Sequence, residues 1–208
     1  MIVPENSLPT EITVRQAVEA AYTVELAQCE EAVTRGLAHL VECDKEAVAH
    51  LYQAIRDRLR RREIRCVYLD GRPQGVMQPG MPTTFVGTMI QQITNIVREG
   101  AAEDENSEPR RTLIVLPHLD LLVTSSGALT SEAREAIALL HENPRILWMG
   151  FKDVTIPLPD IITNLFPKRI TIGGVPRDRI QHLVTRREAR KFGRQFDPFA
   201  LYKHVSGV

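Results

Sequence analysis

The stretch Arg111-Thr112-Leu113-Ile114-Val115-Leu116-Pro117-His118-Leu119-Asp120-Leu121-Leu122 decides the fold of this 208-residue chain. Residues 112–116 are all β-branched or apolar, a run that is too short for a buried helix and that ends at a turn-forming proline. Such a run predicts a strand buried on both faces of a parallel sheet. Ligands bind at the carboxyl edge of these sheets, so Pro117, His118 and Asp120 are expected to stand at a functional edge.

Working outward, apolar runs at 64–69, 145–150 and 168–172 predict three more strands. Helical periodicity between the strands predicts helices over residues 84–98, 131–141 and 161–165. This alternation after residue 63 predicts an α/β fold with a mostly parallel sheet flanked by helices.

Residues 36–43 fit two predictions. They form either a strand followed by a helix that Asp44 caps and that runs to about Arg62, or the first part of a helical hairpin. The hairpin stays open because apolar residues keep a helical period from Leu37 to Leu59.

The two ends of the chain are predicted to be mainly helical. Residues 1–10 contain two prolines and are expected to form a loose leader, which precedes an amphipathic helix from Thr13 to about Gly36. A basic helix is predicted from Arg177 to about Phe192. Arg58, Arg60, Arg61 and Arg62 are either an anion patch or a basic last turn that complements the helix dipole, and we prefer the second interpretation.

Composition narrows the class of protein. Lys plus Arg equals Asp plus Glu at 26 each, so no overall field favours nucleic acid or an anionic membrane. The sequence contains neither a run of roughly 20 apolar residues nor a secretory signal. Cys29, Cys43 and Cys66 lack metal-ligand spacing and are expected to be free thiols. We therefore predict a cytoplasmic protein without a membrane partner, a clear nucleic-acid partner or a metal site.

Three glycines in residues 70–82 lie between a predicted strand and a helix, which is the position of a phosphate loop. Three prolines remove backbone donors from this loop, and it contains no lysine. We expect an exposed loop instead. The acidic segment 101–109 is also expected to be solvated.

In their order, the elements resemble the core of an AAA+ ATPase over residues 36–208. The strand at 112–116 is similar to the family's Walker B strand, and 146–150 is similar to the strand that carries the sensor-1 residue. The best match, Leu158–Ile170, resembles the segment that leads from the arginine finger into the last strand. Residues 199–207 resemble the first helix of the C-terminal lid.

The resemblance implies three parts. Residues 1–35 would be a leader and helix, residues 36–195 an AAA+-like α/β domain, and residues 196–208 the beginning of a helical lid. A chain that ends inside the lid would be a fragment of a longer protein.

The chain differs from the AAA+ family's nucleotide-binding motifs at several positions. Residues 39–46 keep only Lys45 of the Walker A motif, and Asp120 is the other residue that the resemblance assigns to nucleotide binding. Pro117 and His118 stand where the magnesium-orienting and water-activating carboxylates belong.

His118 and Asp120 also suit a metal or an acid–base pair, because residues two apart on an extended segment point to the same side. A histidine with a structural role at the sheet edge is the alternative.

The resemblance also assigns roles to two further sets of residues, a pore loop and a pair of interface cations. Phe85-Val86-Gly87 resembles the aromatic–hydrophobic–glycine pore loop that grips substrate, although Phe85 and Val86 can equally begin the core face of the 84–98 helix. Leu165 occupies the position of the finger arginine, so the nearby Lys168 and Arg169 become the candidate interface cations.

The resemblance implies a domain that has lost ATP hydrolysis, contains no catalytic residue, and acts in assembly, regulation or substrate engagement beside AAA+-type subunits in a homo- or hetero-oligomer. ATP or ADP with Mg²⁺ is the cofactor of the family, and whether this chain binds it stays open. Two alternatives stay open too: a divergent active ATPase with its phosphate loop elsewhere, and a Rossmann-like interaction module unrelated to AAA+.

Overall fold

The computed structural model describes residues 3–72, 84–102, 112–143 and 146–192. Most of the glycine-containing loop at 70–82 and of the acidic segment at 101–109 lies outside the described residues, as does the whole predicted lid at 196–208.

A parallel sheet forms the centre of the described part of the chain. Its strands are β1 (His39–Cys43), β2 (Arg65–Tyr68), β3 (Thr112–Leu116), β4 (Leu147–Lys152) and β5 (Lys168–Ile172). They lie in the order β2-β3-β4-β1-β5, and every pairing is parallel. This confirms the predicted α/β class with a parallel sheet flanked by helices, and it is consistent with a P-loop NTPase or AAA+-like fold.

The structure resolves the ambiguity at residues 36–43 in favour of the strand. β1 lies inside the sheet, where Val41 pairs with Phe151 of β4 on one side and with Ile170 of β5 on the other. Leu40 and Val41 are both fully buried, in the cores on opposite faces of the sheet. A strand that is apolar on both faces loses the period-two signal, which is why a helical period also fitted this segment.

Helices cover both faces of the sheet. They are α1 (Val14–Ala21), α2 (Thr23–Thr34), α3 (Val48–Arg60), α4 (Phe85–Ala102), α5 (Ser131–Glu142), α6 (Asp160–Thr163) and α7 (Arg186–Ala189). Buried residues of α2 and α3 share one core with β1 and β3, and buried residues of α4, α5 and α6 share the other core with β3 and β4. The result is a three-layer sandwich, because a sheet that is apolar on both faces needs a helical layer on each.

The predicted single helix from Thr13 to Gly36 is wrong, since the chain forms α1 and α2 with a break at Tyr22 (φ −120°, ψ 33°). The break lets α2 bury Leu26, Cys29 and Val33 against the sheet, while α1 packs on α3. Apolar residues continue on both sides of the break, so periodicity alone could not reveal the change of direction.

Two further predictions at the chain ends are also wrong. The basic helix from Arg177 to Phe192 is divided into a 3-10 helix (Arg177–His182), α7 and a last 3-10 turn. α7 begins at a capping box formed by Thr185 and Glu188, and Val184 just before it is 7% exposed. The leader is not loose, because Leu8 is 2% exposed and packs against this divided segment.

Two of the four arginines at and just after the end of α3 pair with acids of the neighbouring helices. Arg58 Nη2 lies 2.6 Å from Glu19 Oε2 of α1, and Arg62 Nε lies 2.9 Å from Glu30 Oε1 of α2. These two side chains therefore tie α3 to α1 and α2.

We predict that Gly150→Ala destabilises the fold. A Cβ at this β4 position would lie 2.9 Å from the Phe166 ring and closer still to Leu119, and both side chains are 1% exposed in the core. Overpacking of this kind costs about 1–3 kcal/mol of unfolding free energy, which urea titration measures. Gly173→Ala is the control, because its Cβ would meet nothing within 4 Å. Equal effects of the two substitutions would contradict the close approach at Gly150.

We predict that His39 makes the folded state less stable at acidic pH. Burial lowers the pKa of His39 to about 4, although the Leu37 carbonyl opposes the shift. Protonation then favours the unfolded chain, so stability should fall by about 2–3 kcal/mol as the pH drops from about 7.5 to about 4.5. Urea unfolding at both pH values should show a smaller loss in His39→Leu than in the unsubstituted chain. His50→Gln, at an exposed position of α3, should not reduce the loss.

Candidate functional site

The carboxyl edge of the sheet gathers polar side chains from three neighbouring strands. β3, β4 and β1 are adjacent, and their ends lead into Pro117, Asp153 and Asp44. In open α/β sheets this edge is where ligands bind. The order of the strands thus brings together residues that are more than a hundred positions apart in the sequence.

Lys45 is the centre of this edge. Its Nζ lies 2.6 Å from Oδ2 of Asp120, so the two residues that the resemblance assigned to nucleotide binding form an ion pair with each other. The Lys45 side chain is 52% exposed, whereas the Asp120 side chain is 7% exposed. The ammonium therefore neutralises a carboxylate that is almost buried.

Asp153 makes a second contact with Lys45. The backbone N–H of Lys45 donates to Asp153 Oδ2 at 3.3 Å. Oδ1 of Asp153 accepts the hydroxyl and the backbone N–H of Thr155, at 2.5 and 2.9 Å, and these bonds lower the pKa of Asp153. Lys45 thus links the loops that follow β1, β3 and β4.

Sequence reasoning missed Asp153, because the strand was predicted to end at Gly150. β4 in fact continues to Lys152, whose ammonium is buried and reaches the Ile156 carbonyl at 2.9 Å and Glu42 at 3.4 Å. An aspartate two residues before a threonine is a turn signal that could have marked Asp153.

The connection from β1 to α3 is short. β1 ends at Cys43, Asp44 follows, and a 3-10 turn at Lys45–Ala47 leads directly into α3. Residues 39–42, which the resemblance aligned with the first part of a phosphate loop, are paired with strands on both sides, and Cys43 is paired with β5. The predicted cap is wrong, since the Asp44 side chain makes no capping hydrogen bond.

His118 and Asp120 point to different neighbours. A 3-10 helix at Leu119–Leu122 begins directly after His118, so the extended geometry predicted for the pair is wrong. The ring of His118 meets Phe85 edge-on, with 5.6 Å between centroids, and its buried Nδ1 has no hydrogen-bond partner among the described residues. Burial lowers the pKa of His118, Asp120 opposes this shift, and Lys45 adds to it.

The candidate pore loop forms the first turn of α4. The Gly87 N–H donates to the Thr84 hydroxyl at 3.1 Å, so Thr84 caps this helix. Phe85 is half-buried and packs on Gly71, whose φ of +67° and lack of a Cβ allow the close approach. Val86 packs partly against the core beneath α4. The assignment of these residues to a pore loop stays a prediction.

Lys168 and Arg169 lie at the opposite edge of the sheet from Lys45. They begin β5, pair with His39 and Leu40 at the amino end of β1, and are exposed. They cannot act on the Lys45 site of the same molecule, and their role as interface cations stays a prediction.

The described residues contain neither a metal-binding cluster nor a membrane-spanning helix. No group of three or more His, Cys, Asp or Glu side chains there is arranged to hold a metal ion. No helix in the described ranges is both long and apolar enough to cross a bilayer.

Comparison with known proteins gives structural likeness only. No protein-family model and no curated protein matches the chain. Among solved structures, it is similar to a chain of the E. coli MS115-1 HORMA:CdnC:Trip13 complex, at 13% identity and a TM-score of 0.44, covering 80% of this chain and 62% of that chain. It is also similar to Rhizobiales Trip13, at 12% identity and a TM-score of 0.42, covering 82% and 62%. The chain therefore spans less than two thirds of the length of either match.

We predict measurable coupling between Lys45 and Asp120. A double-mutant cycle of Lys45→Ala and Asp120→Ala, followed by urea unfolding, should give about 1 kcal/mol, because the carboxylate is nearly buried. The control is Glu31 with Arg35, an ion pair on α2 with side chains 57% and 69% exposed, where about 0.3 kcal/mol is expected. Equal coupling in the two cycles would argue that Lys45 is no more than a surface cation.

Proposed function

We propose that this chain is an AAA+-like domain that does not hydrolyse ATP and that serves assembly, regulation or substrate engagement beside related subunits. Residues 36–195 would form this domain, after a helical N-terminal segment at 1–35 and before the beginning of a lid at 196–208. The observation that carries the proposal is the Lys45–Asp120 ion pair, at an edge where strand runs almost directly into helix.

The β1–α3 connection argues against phosphate binding. A phosphate loop needs several successive backbone N–H groups aimed at one anion. Here Asp44 stands alone between the strand and the 3-10 turn, and the Lys45 N–H is directed at Asp153. Asp44 and Glu46 are exposed at the same place, where their carboxylates would repel a triphosphate.

The end of β3 argues against magnesium binding and hydrolysis. Pro117 is buried and carries no polar side chain, and His118 faces Phe85. Asp120 is the nearest carboxylate of this loop, and the Lys45 ammonium already neutralises it. Phosphoryl transfer depends on metal ions and positioned charges, so these residues do not fit a magnesium-nucleotide.

Exposed groups outside this edge favour protein partners. Lys168 and Arg169 are solvent-exposed at the amino edge, where they are available to an acidic surface of a neighbouring subunit. Phe85, if the pore-loop assignment is correct, would contact a polypeptide. We therefore propose a homo- or hetero-oligomer with AAA+-type subunits as the working form.

One observation favours a second candidate, a divergent nucleotide-binding domain. Lys45 follows β1 and Asp120 follows β3, which are the positions of the lysine and the acidic residue in an active P-loop enzyme. An ATP-bound state would then require Lys45 to leave Asp120 for the phosphates.

Calorimetric titration with Mg-ATP and Mg-ADP, together with a phosphate-release assay, separates the two candidates. We expect no micromolar binding and no magnesium-dependent turnover, because the Lys45 edge offers the phosphates neither a backbone cradle nor an unpaired lysine. Micromolar binding or turnover that Lys45→Ala removes, and that Lys191→Ala at another exposed lysine leaves intact, would overturn the proposal and support the divergent ATPase.

A further inference from the structure

The leader, residues 3–9, lies against the segment at 177–190 that follows β5. Leu8 and Val3 are 2% and 8% exposed, and they share an apolar cluster with Ile180, Val184 and Ala189. This cluster is separate from the two cores on the sheet. The leader therefore packs on one local surface, which we name the C-terminal groove.

Arg186 binds the main chain of the leader. Its Nε donates to the Leu8 carbonyl at 2.8 Å, and its Nη2 donates to the Asn6 carbonyl at 3.0 Å. The backbone N–H of Arg186 donates to the Pro9 carbonyl at 2.9 Å. Three donors of one residue thus hold three carbonyls of the leader, whose residues Glu5–Ser7 form one 3-10 turn. These contacts recognise main chain rather than side chains.

Side-chain contacts add selectivity to this main-chain recognition. Arg190 Nε lies 2.6 Å from Glu5 Oε1, and Leu8 fills the apolar cluster. Pro4 (φ −61°, ψ 135°) and Leu8 (φ −81°, ψ 146°) both have polyproline-type conformations. Segments of this kind lose little conformational entropy when they bind, because proline restricts them beforehand.

The segment that forms the C-terminal groove also contacts α1, and this contact does not involve the leader. α1 packs against the 3-10 helix at Arg177–His182, and Arg179 Nη1 donates to the Ala20 carbonyl at 3.4 Å. Thr185 and Glu188 form a reciprocal capping box that begins α7 and fixes Arg186 in its first turn. Both contacts would persist with the leader displaced.

We propose that the C-terminal groove is a docking site for a protein segment with the pattern acid-x-x-Leu-Pro that forms one 3-10 turn, and that the leader is its resident ligand. The leader covers the groove in cis, and a partner protein that carries the same pattern binds when the leader is displaced. The proposal does not depend on whether the carboxyl edge of the sheet at Lys45 binds a nucleotide.

The test uses the full chain with its own leader disabled. Leu8→Asp should leave a cooperative thermal transition and should bind a fluorescein-labelled peptide of residues 3–11 saturably in an anisotropy titration. The unsubstituted chain should bind this peptide at least about tenfold more weakly, because the tethered leader competes at a high effective concentration.

Matched variants identify the groove as the binding site. Leu8→Asp with Arg186→Ala should lose about tenfold in peptide affinity, since charged hydrogen bonds to two carbonyls are removed. Leu8→Asp with Arg187→Ala, at the exposed neighbouring position, should bind like Leu8→Asp. A peptide with aspartate in place of leucine should not bind.

Three results would overturn the proposal. A folded Leu8→Asp chain that does not bind the peptide would show a purely structural contact. Binding that is indifferent to Arg186→Ala would place the peptide elsewhere. Loss of the cooperative transition in Leu8→Asp would make the leader part of the core.

Discussion

The position of β1 between β4 and β5 is the constraint on which the rest of the structure depends. β1 is hydrogen-bonded on both edges, parallel to both neighbours and buried on both faces, so most of its side chains are apolar. Because β2 lies at the far side of the sheet, the chain must cross over from β1, and α3 provides this crossing on one face. The same arrangement brings the ends of β1, β3 and β4 to one edge, where Lys45, Asp120 and Asp153 meet.

The charge balance at that edge gives Lys45 a structural role. Asp120 is almost buried, and an unpaired buried carboxylate is strongly unfavourable, so the ammonium of Lys45 has a structural partner to satisfy. Its backbone N–H is engaged by Asp153 as well. Lys45 contacts two other loops of the same molecule. It can therefore stabilise the arrangement of this edge whether or not a nucleotide binds.

Much of the fold could be predicted from the sequence, because buried parallel strands are short apolar runs with turn residues after them. The runs around Val115 and Ile170 are of this kind, and both strands were found in place. The candidate site was predictable in part: Lys45 and Asp120 were identified, but their mutual ion pair was not. Asp153 was missed because the end of a strand depends on its partners, and Lys152 is kept in β4 by pairing with Glu42 of β1.

The sequence by itself determined the class of the fold, the alternation of strands and helices, and the residue types at the sheet edge, where Glu46 follows Lys45 and His118 follows Pro117. These properties are local, since they depend on residue type and spacing. Tertiary structure alone decided that residues 39–43 form a strand, that Tyr22 breaks a helix, and that the leader docks on Arg186. Each of these depends on contacts between distant segments, and such pairings leave no periodic signal in either segment.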